Sequence, residues 1–417
     1  MAIICNFCNK EFEDNTTVNL FVSEDEKTFV CENCVKKMSN MIGYKPINMN
    51  KSENNKNPDL KFKIRKPKEI RTFLDQYIIG QDNAKDVLSV AVYNHYKMLL
   101  SNNTNNMELE KSNILLLGPT GCGKTAILKA LSKCLNVPFT ICDTSTLTAA
   151  GYVGADVESC LKSLLYAADG NVKRAEMGII YLDEFDKLSR KGENVSITRD
   201  VGGESVQQAL LKMIEGSVVE VPEGPRKHPQ EKCTVIDTSK ILFICGGSFE
   251  GIEKIIQKRV RKHNKVIGFG SDPCNDETVT LNDVIDEVNT DDLKKFGMIP
   301  EIIGRLPIIC TMHNLTEEAF IKILTEPKNS LCRQYKHLFK LDNVELNFTE
   351  EALKAIAQIA IQRETGARGL RSIMENILLQ YMKIIPENHI RSITITADYI
   401  NGITEDAEIN YRTLEVC

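Results

Sequence analysis

Three things are scarce in this 417-residue chain. No apolar run approaches the length of a membrane span. The opening Met1-Ala2-Ile3-Ile4-Cys5 lacks a basic region followed by a long apolar segment, so nothing reads as a secretory leader. Positive charge is not in excess, the formal net charge being -5. The first two absences predict a soluble, cytoplasmic protein without a membrane partner. The third removes any general attraction to nucleic acid, and no sequence-specific nucleic-acid partner is expected. The remaining composition is ordinary for a globular chain, 42% hydrophobic and 26% charged, and the length suits two or three domains. Of the fourteen cysteines, ten are scattered along the chain, which fits reduced thiols better than a disulfide framework.

The chain is organised around Gly118-Pro119-Thr120-Gly121-Cys122-Gly123-Lys124-Thr125. The apolar run Ile114 to Leu117 precedes it and a helical pattern beginning at Ala126 follows, giving the strand, loop and helix that a phosphate-binding loop requires. Glycines let successive backbone N–H groups point into one concavity, and the helix N-terminus adds partial positive charge. Lys124 is expected on the β- and γ-phosphates of ATP, and Thr125 on the accompanying Mg2+. Downstream, Gly178-Ile179-Ile180-Tyr181-Leu182 reads as a buried strand ending in Asp183-Glu184. A carboxylate pair at the carboxyl end of a parallel strand faces the nucleotide crevice. Asp183 is therefore expected to hold magnesium, and Glu184 to polarise the attacking water.

At the N-terminus, Cys5-x2-Cys8 and Cys31-x2-Cys34 lie 22 residues apart. Two residues within each pair let both thiolates face one ion, and so short a segment needs a metal in place of a core; Zn2+ is the expected ligand. Residues 1–47 are thus read as a zinc module, 48–66 as a flexible linker, 67–312 as a large ATPase domain and 313–417 as a small, mainly helical domain. The fold class expected is α/β, a P-loop NTPase with an open parallel sheet, followed by a small α+β domain. In the small domain Leu370, Ile373, Met374, Ile377 and Leu378 make one apolar stripe, and residues 392–396 alternate as a strand.

Other segments are ambiguous on their residues alone. Gly151-Tyr152-Val153-Gly154 suits a mobile loop, but such a tyrosine more often tucks into its own core. Ile267-Gly268-Phe269 follows a charged run and offers two apolar anchors, yet on its residues alone folding back on its own domain is slightly favoured.

Taken with the P-loop and the cysteines, these segments resemble the ClpX family of AAA+ ATP-dependent unfoldases over nearly the full length. The resemblance implies a homo-hexameric ring, protein substrates and adaptors, and a ClpP peptidase partner, with no peptidase activity in the chain itself. Residues Leu74 to Gln81 look like the family's adenine-side motif, which implicates Ile78 and Ile79. By the same resemblance Tyr152 and Val153 would grip substrate in the central pore. Arg226, Lys227 and His228 would form the charged pore entrance, and Arg199 falls in the second pore loop. Arg305, in Pro300 to Pro307, matches the arginine finger that reaches a neighbour's ATP, and Arg368, in Gly366 to Arg371, matches sensor 2. Ile267, Gly268 and Phe269 would dock ClpP. Cys122 departs from the serine more usual in the family's loop, which predicts retained activity with sensitivity to thiol oxidation. Two other functions stay open: a remodelling chaperone that works without a protease, and a zinc-finger nucleic-acid regulator switched by nucleotide.

Overall fold

The computed structural model describes residues 3–8, 11–12, 20–22, 29–31, 34–35, 64–100, 110–148, 155–189, 203–222, 233–263, 281–387 and 390–411. The chain forms two compact units, 1–63 and 64–417.

In the first unit, strands Ile3–Ile4 and Glu11–Phe12 pair antiparallel, as do Leu20–Val22 and Phe29–Cys31. Cys5 and Cys8 sit in the turn after the first strand. Cys31 ends the last strand, and Cys34 follows in a helical turn. The two pairs are joined through one backbone and one side-chain hydrogen bond: Asn6 N–H donates to Phe29 O at 2.8 Å, and Phe29 N–H donates to Asn6 Oδ1 at 2.8 Å.

The second unit is built on a five-stranded parallel sheet: β1 (Ile114–Leu117), β2 (Phe139–Asp143), β3 (Ile179–Asp183), β4 (Leu242–Gly247) and β5 (Ile308–Thr311). Their spatial order is β5-β1-β4-β3-β2, every pair parallel. The central strands are apolar without alternation, Ile-Leu-Leu-Leu in β1 and Leu-Phe-Ile-Cys in β4, and buried at each of these positions. Continuous burial is what a parallel sheet covered on both faces demands. Because β1, β4 and β3 are the three interior strands and all run parallel, their carboxyl ends open on one crevice, where open α/β sheets bind ligands.

Helix Lys124–Leu135 leaves that crevice with Ile127, Leu128, Leu131 and Leu135 on its buried side, and ends at Asn136 in the left-handed conformation. Helices Pro67–Asp75 and Asp82–Leu100 precede the sheet; Pro67 occupies the first turn of the former, where its missing N–H costs nothing. Two buried polar side chains tie loops to the sheet. Asn113, 1% exposed, accepts from Phe243 N–H at 3.2 Å and donates to Arg305 O at 3.1 Å and Ile214 O at 3.3 Å. Gln207 donates to Leu188 O at 2.7 Å and accepts from Ile299 N–H at 3.0 Å. Such groups are tolerated inside because every bond is made.

After β5 the chain is largely helical: Glu317–Thr325, Leu331–Leu341, Glu350–Gln362 and Ala367–Ile384. Thr316 and Thr349 cap the first and third of these, each accepting a backbone N–H at 3.2 Å. Alongside them runs a three-stranded sheet in the order Glu345–Phe348, Ile390–Ile395, Glu408–Tyr411. This region has its own apolar cluster, with Phe320, Phe339, Met374, Tyr381 and Ile393 at its centre. Among the described residues no helix is long and apolar enough to cross a membrane.

Candidate functional site: a nucleotide crevice and a four-cysteine cluster

The glycine-rich loop leaves β1 and turns at once into helix Lys124–Leu135, capped by Gly123. Lys124 Nζ donates to the carbonyls of Gly118 at 2.5 Å and Pro119 at 2.9 Å, so its ammonium lies along the inner rim of the loop. Pro119 and Gly118 thus serve as its seat. Cys122 points the other way: it is 4% exposed, and burial raises its thiol above the ordinary range despite Lys124 nearby. A covered, neutral thiol is a poor nucleophile, which weakens the oxidation sensitivity expected from sequence.

Opposite the loop, β3 delivers Asp183 and Glu184. Asp183 Oδ1 accepts from Tyr181 OH at 2.9 Å and from Glu184 N–H at 3.0 Å, while Oδ2 lies 3.4 Å from Thr125 Oγ1. Tyr181 is fully buried; burial first, and the Asp183 carboxylate second, keep its hydroxyl protonated and hence a donor. Glu184 is held in the left-handed region at φ 56°, a conformation that persists in non-glycine residues only where surroundings enforce it. Thr144, at the end of β2, supplies that enforcement: its Oγ1 reaches Asp183 O at 3.0 Å and Glu184 O at 2.9 Å. Asp186 braces the end of β4, accepting from Ser248 Oγ at 3.1 Å and Phe249 N–H at 3.2 Å.

The third wall comes from the helical region. Gly121 (φ +79°) and Gly366 (φ +57°) meet backbone to backbone; a Cβ on Gly366 would lie 2.6 Å from Gly121 Cα. Ala367 N–H donates to Gly121 O at 3.1 Å. This seat brings Arg368, in the first turn of helix Ala367–Ile384, to the loop.

Together these walls enclose a cavity of about 640 Å³, large enough for a nucleotide. Thr120, Gly121, Gly123, Lys124, Thr125 and Ala126 line it on one side, Asp183 and Glu184 on the second, Arg368 on the third. Lys129, Lys187, Ser248 and Glu250 add polar groups. A hydroxyl and a carboxylate oxygen facing each other at 3.4 Å are hard ligands of the kind magnesium takes, so Thr125 and Asp183 fit that ion.

The cysteines of the first unit also converge. The Sγ atoms of Cys5, Cys8, Cys31 and Cys34 all lie within 4.8 Å of one another, and Cys8 and Cys31 are 3.7 Å apart. Four sulfurs at the usual zinc distance on a tetrahedron stand about 3.8 Å apart, so the cluster fits Zn2+. Burial raises the Cys5 thiol, but backbone N–H groups of Cys31, Phe7 and Cys8 outweigh it and bring it down to about 6. Burial and the other three sulfurs push Cys34 up to about 12. Four crowded thiols do not all ionise without a cation between them.

Not every residue singled out in the sequence meets at the crevice. Ile78 and Ile79 are half-buried and do not line the cavity; Ile78 N–H bonds Leu74 O at 2.8 Å. Arg305 also lies off the cavity, its Nε 3.0 Å from Glu215 Oε1. Tyr152, Val153, Arg199, Arg226, Lys227, His228, Ile267, Gly268 and Phe269 fall outside the described residues. Thr144, Asp186 and Ser248 carry no signal in the sequence, since single polar residues just beyond strand ends make no pattern, and Tyr181 reads there only as part of an apolar strand.

Residues 109–309 match the family described as AAA domain (Cdc48 subfamily), and residues 315–388 the C-terminal, D2-small domain, of ClpB protein. Among curated proteins, the "ATP-dependent Clp protease ATP-binding subunit ClpX" of Treponema denticola is 50% identical over 384 residues, covering 91% of this chain and 89% of that protein. Proteins of the same name from Borrelia duttonii and Borrelia recurrentis are each 53% identical over 338 residues, covering 80% of this chain and 78% of theirs. Identity at this level across nearly the whole length, with a P-loop crevice and a four-cysteine cluster in place, means that the chain belongs to the ClpX family of AAA+ ATPases.

Proposed function

We propose that this chain is the ATP-hydrolysing, protein-unfolding subunit of a Clp protease, working as a homo-hexameric ring that draws tagged proteins through its pore and delivers them to a ClpP peptidase. The observation that carries the reading is the three-walled cavity, in which Lys124, Asp183 with Glu184, and Arg368 converge from three separate parts of the chain. Backbone N–H groups from Gly121 to Thr125, with Lys124, bind the phosphates; Ile78 and Ile79 flank the adenine. Glu184, fixed by Thr144, orients the attacking water and accepts its proton. Thr125 and Asp183 would hold the magnesium ion, which when bound would supply positive charge beside the phosphate oxygens. Arg368 pairs with the γ-phosphate through its planar fork of donors. Because Arg368 rides on the helical region, the nucleotide's state acts on how that region is seated.

Arg305 serves the neighbouring subunit's site, a role in keeping with its position away from its own cavity. Tyr152 and Val153 grip the polypeptide, and Arg199, Arg226, Lys227 and His228 line its path. Ile267, Gly268 and Phe269 dock ClpP, and several such loops engaging together gain by effective concentration. Cys5, Cys8, Cys31 and Cys34 hold one structural zinc. The domains run 1–47, 48–66, 67–312 and 313–417; separate apolar clusters on either side of residues 307–319 support the last division.

The test is ATP-dependent loss of fluorescence from a tagged, stably folded reporter, with and without ClpP, for the natural chain and Phe269→Ala. Unfolding by both proteins, with degradation by the natural chain alone, is expected. Unfolding with no ClpP-dependent degradation by either would mark a protease-independent chaperone instead, and no ATP-dependent unfolding would refute the reading.

A further inference from the structure

Gln81 closes the turn between helices Pro67–Asp75 and Asp82–Leu100, and its backbone is left-handed at φ 56°. Its side-chain amide is fully used. Oε1 accepts from His313 N–H at 3.0 Å, and Nε2 donates to His313 O at 2.7 Å and reaches Cys122 O at 3.4 Å. One side chain therefore clasps both main-chain groups of His313, just past β5 where the sheet ends and the helical region begins, and touches the phosphate loop. The neighbouring loop carbonyl, Gly121 O, is taken by Ala367 N–H from that same helical region. Two successive carbonyls of the loop are thus read from outside it.

His313 is held from a second side. Its Nε2 lies 3.2 Å from Asp286 Oδ2, Thr311 Oγ1 donates to Asp286 Oδ1 at 2.6 Å, and Asn314 N–H donates to Asn282 Oδ1 at 2.7 Å. The strap 311–314 is gripped by Gln81 on one flank and by residues 282–286 on the other.

We infer that Gln81 is a positioning residue that couples the phosphate loop to the strap Thr311–Asn314, so that a change in the loop on nucleotide binding is passed to the joint between sheet and helical region. No shorter or apolar side chain meets the geometry. Asn falls a methylene short, Met offers no donor, and Glu would set a carboxylate against two carbonyl oxygens. A left-handed non-glycine residue is itself held only because the surrounding contacts over-determine it. The inference rests on the nucleotide reading of the cavity.

The experiment is hydrogen exchange of the peptide spanning His313, in the full-length natural chain and in Gln81→Met, with and without a non-hydrolysable ATP analogue. Binding of a fluorescent ATP analogue and ATP turnover are measured in parallel. In the natural chain, protection of the His313 amide should change on adding the analogue. In Gln81→Met that amide should exchange about tenfold faster and no longer respond. Nucleotide affinity should stay within about threefold while kcat falls about tenfold, a split that general loss of structure does not produce. His313→Ala keeps the main-chain partners of Gln81 and should keep the response. No response at His313 in the natural chain that has bound the analogue overturns the coupling whether or not the variant folds, as does an undiminished response in Gln81→Met. Failure of the natural chain to bind the analogue overturns the coupling through its premise, and is recognised by the binding measurement itself.

Discussion

Replacing Gly366 by alanine tests the seat on which Arg368 depends. The new Cβ would stand 2.6 Å from Gly121 Cα and 2.8 Å from both Gly121 C and O, with backbone on the far side and no flexible side chain to give way. Regaining ordinary contact requires the phosphate loop and the start of helix Ala367–Ile384 to part by about 0.8 Å. A misplacement near 1 Å costs about 10²-fold in a reaction governed by positioning, so kcat for ATP should fall by about 10- to 100-fold. Affinity for ATP should move less than about threefold, because the loop's own N–H groups and Lys124 remain. Gly366 also has φ +57°, and alanine there carries a backbone penalty of about 1–3 kcal/mol. Gly402 separates the two effects: its φ is +72°, yet nothing lies within 4 Å of the Cβ position. Gly402→Ala should lose comparable stability and keep its turnover. Steady-state ATPase assays and denaturant unfolding on both variants decide the matter. Equal turnover in the two would show that contact between loop and helix contributes nothing to catalysis.

Three further outcomes are expected. Glu184→Gln should bind ATP normally while hydrolysis falls by about 10²–10⁴, the usual worth of a positioned base; turnover near that of the natural chain would remove Glu184 from the chemistry. Elemental analysis of protein purified without chelator should find about one zinc per chain, lost in Cys5→Ser with basal ATPase retained, and metal-free protein would contradict the cluster's assignment. His95 should make the fold acid-sensitive. Burial first, and the Lys111 ammonium second, bring its imidazole down to about 4 from an ordinary 6.5. Between those values the unfolded chain takes a proton that the folded chain refuses, so stability is full well above pH 6.5 and falls by roughly 2–3 kcal/mol by pH 4.5. His95→Leu should remove that part of the acid slope in denaturant titrations at pH 7 and 4.5, and an unchanged slope would place the loss elsewhere.

The parts of the site legible in the sequence are those whose chemistry is local. The glycine loop, the acidic pair after β3 and the paired cysteines each declare themselves within a few residues, and the parallel sheet follows from unbroken apolar runs. A helix start is legible where a cap marks it: Thr349 followed by Glu350-Glu351 is such a signal, and the helix begins at Glu350. What escaped was the set of buried amides and hydroxyls that tie distant backbone together. Gln81 bonds a residue 232 positions away, and Asn113 one 192 away. Neither sits in a periodic pattern, and a lone Asn or Gln before a strand or helix reads as turn chemistry. Only the fold brings such donors to their acceptors.

Asn113 has one more consequence. It immediately precedes β1, the strand that ends in the phosphate loop, and it holds the carbonyl of Arg305. If Arg305 reaches into the neighbouring subunit, the arginine is mounted on the same rigid beam as its own subunit's loop. A tilt of that beam when one site changes state would be felt next door as a displaced guanidinium, with no lever of loops in between. In a closed ring each subunit would then report its own occupancy to the next in one rotational sense, the buried amide of Asn113 adding to the strand pairing of β1 with β5 as the carrier.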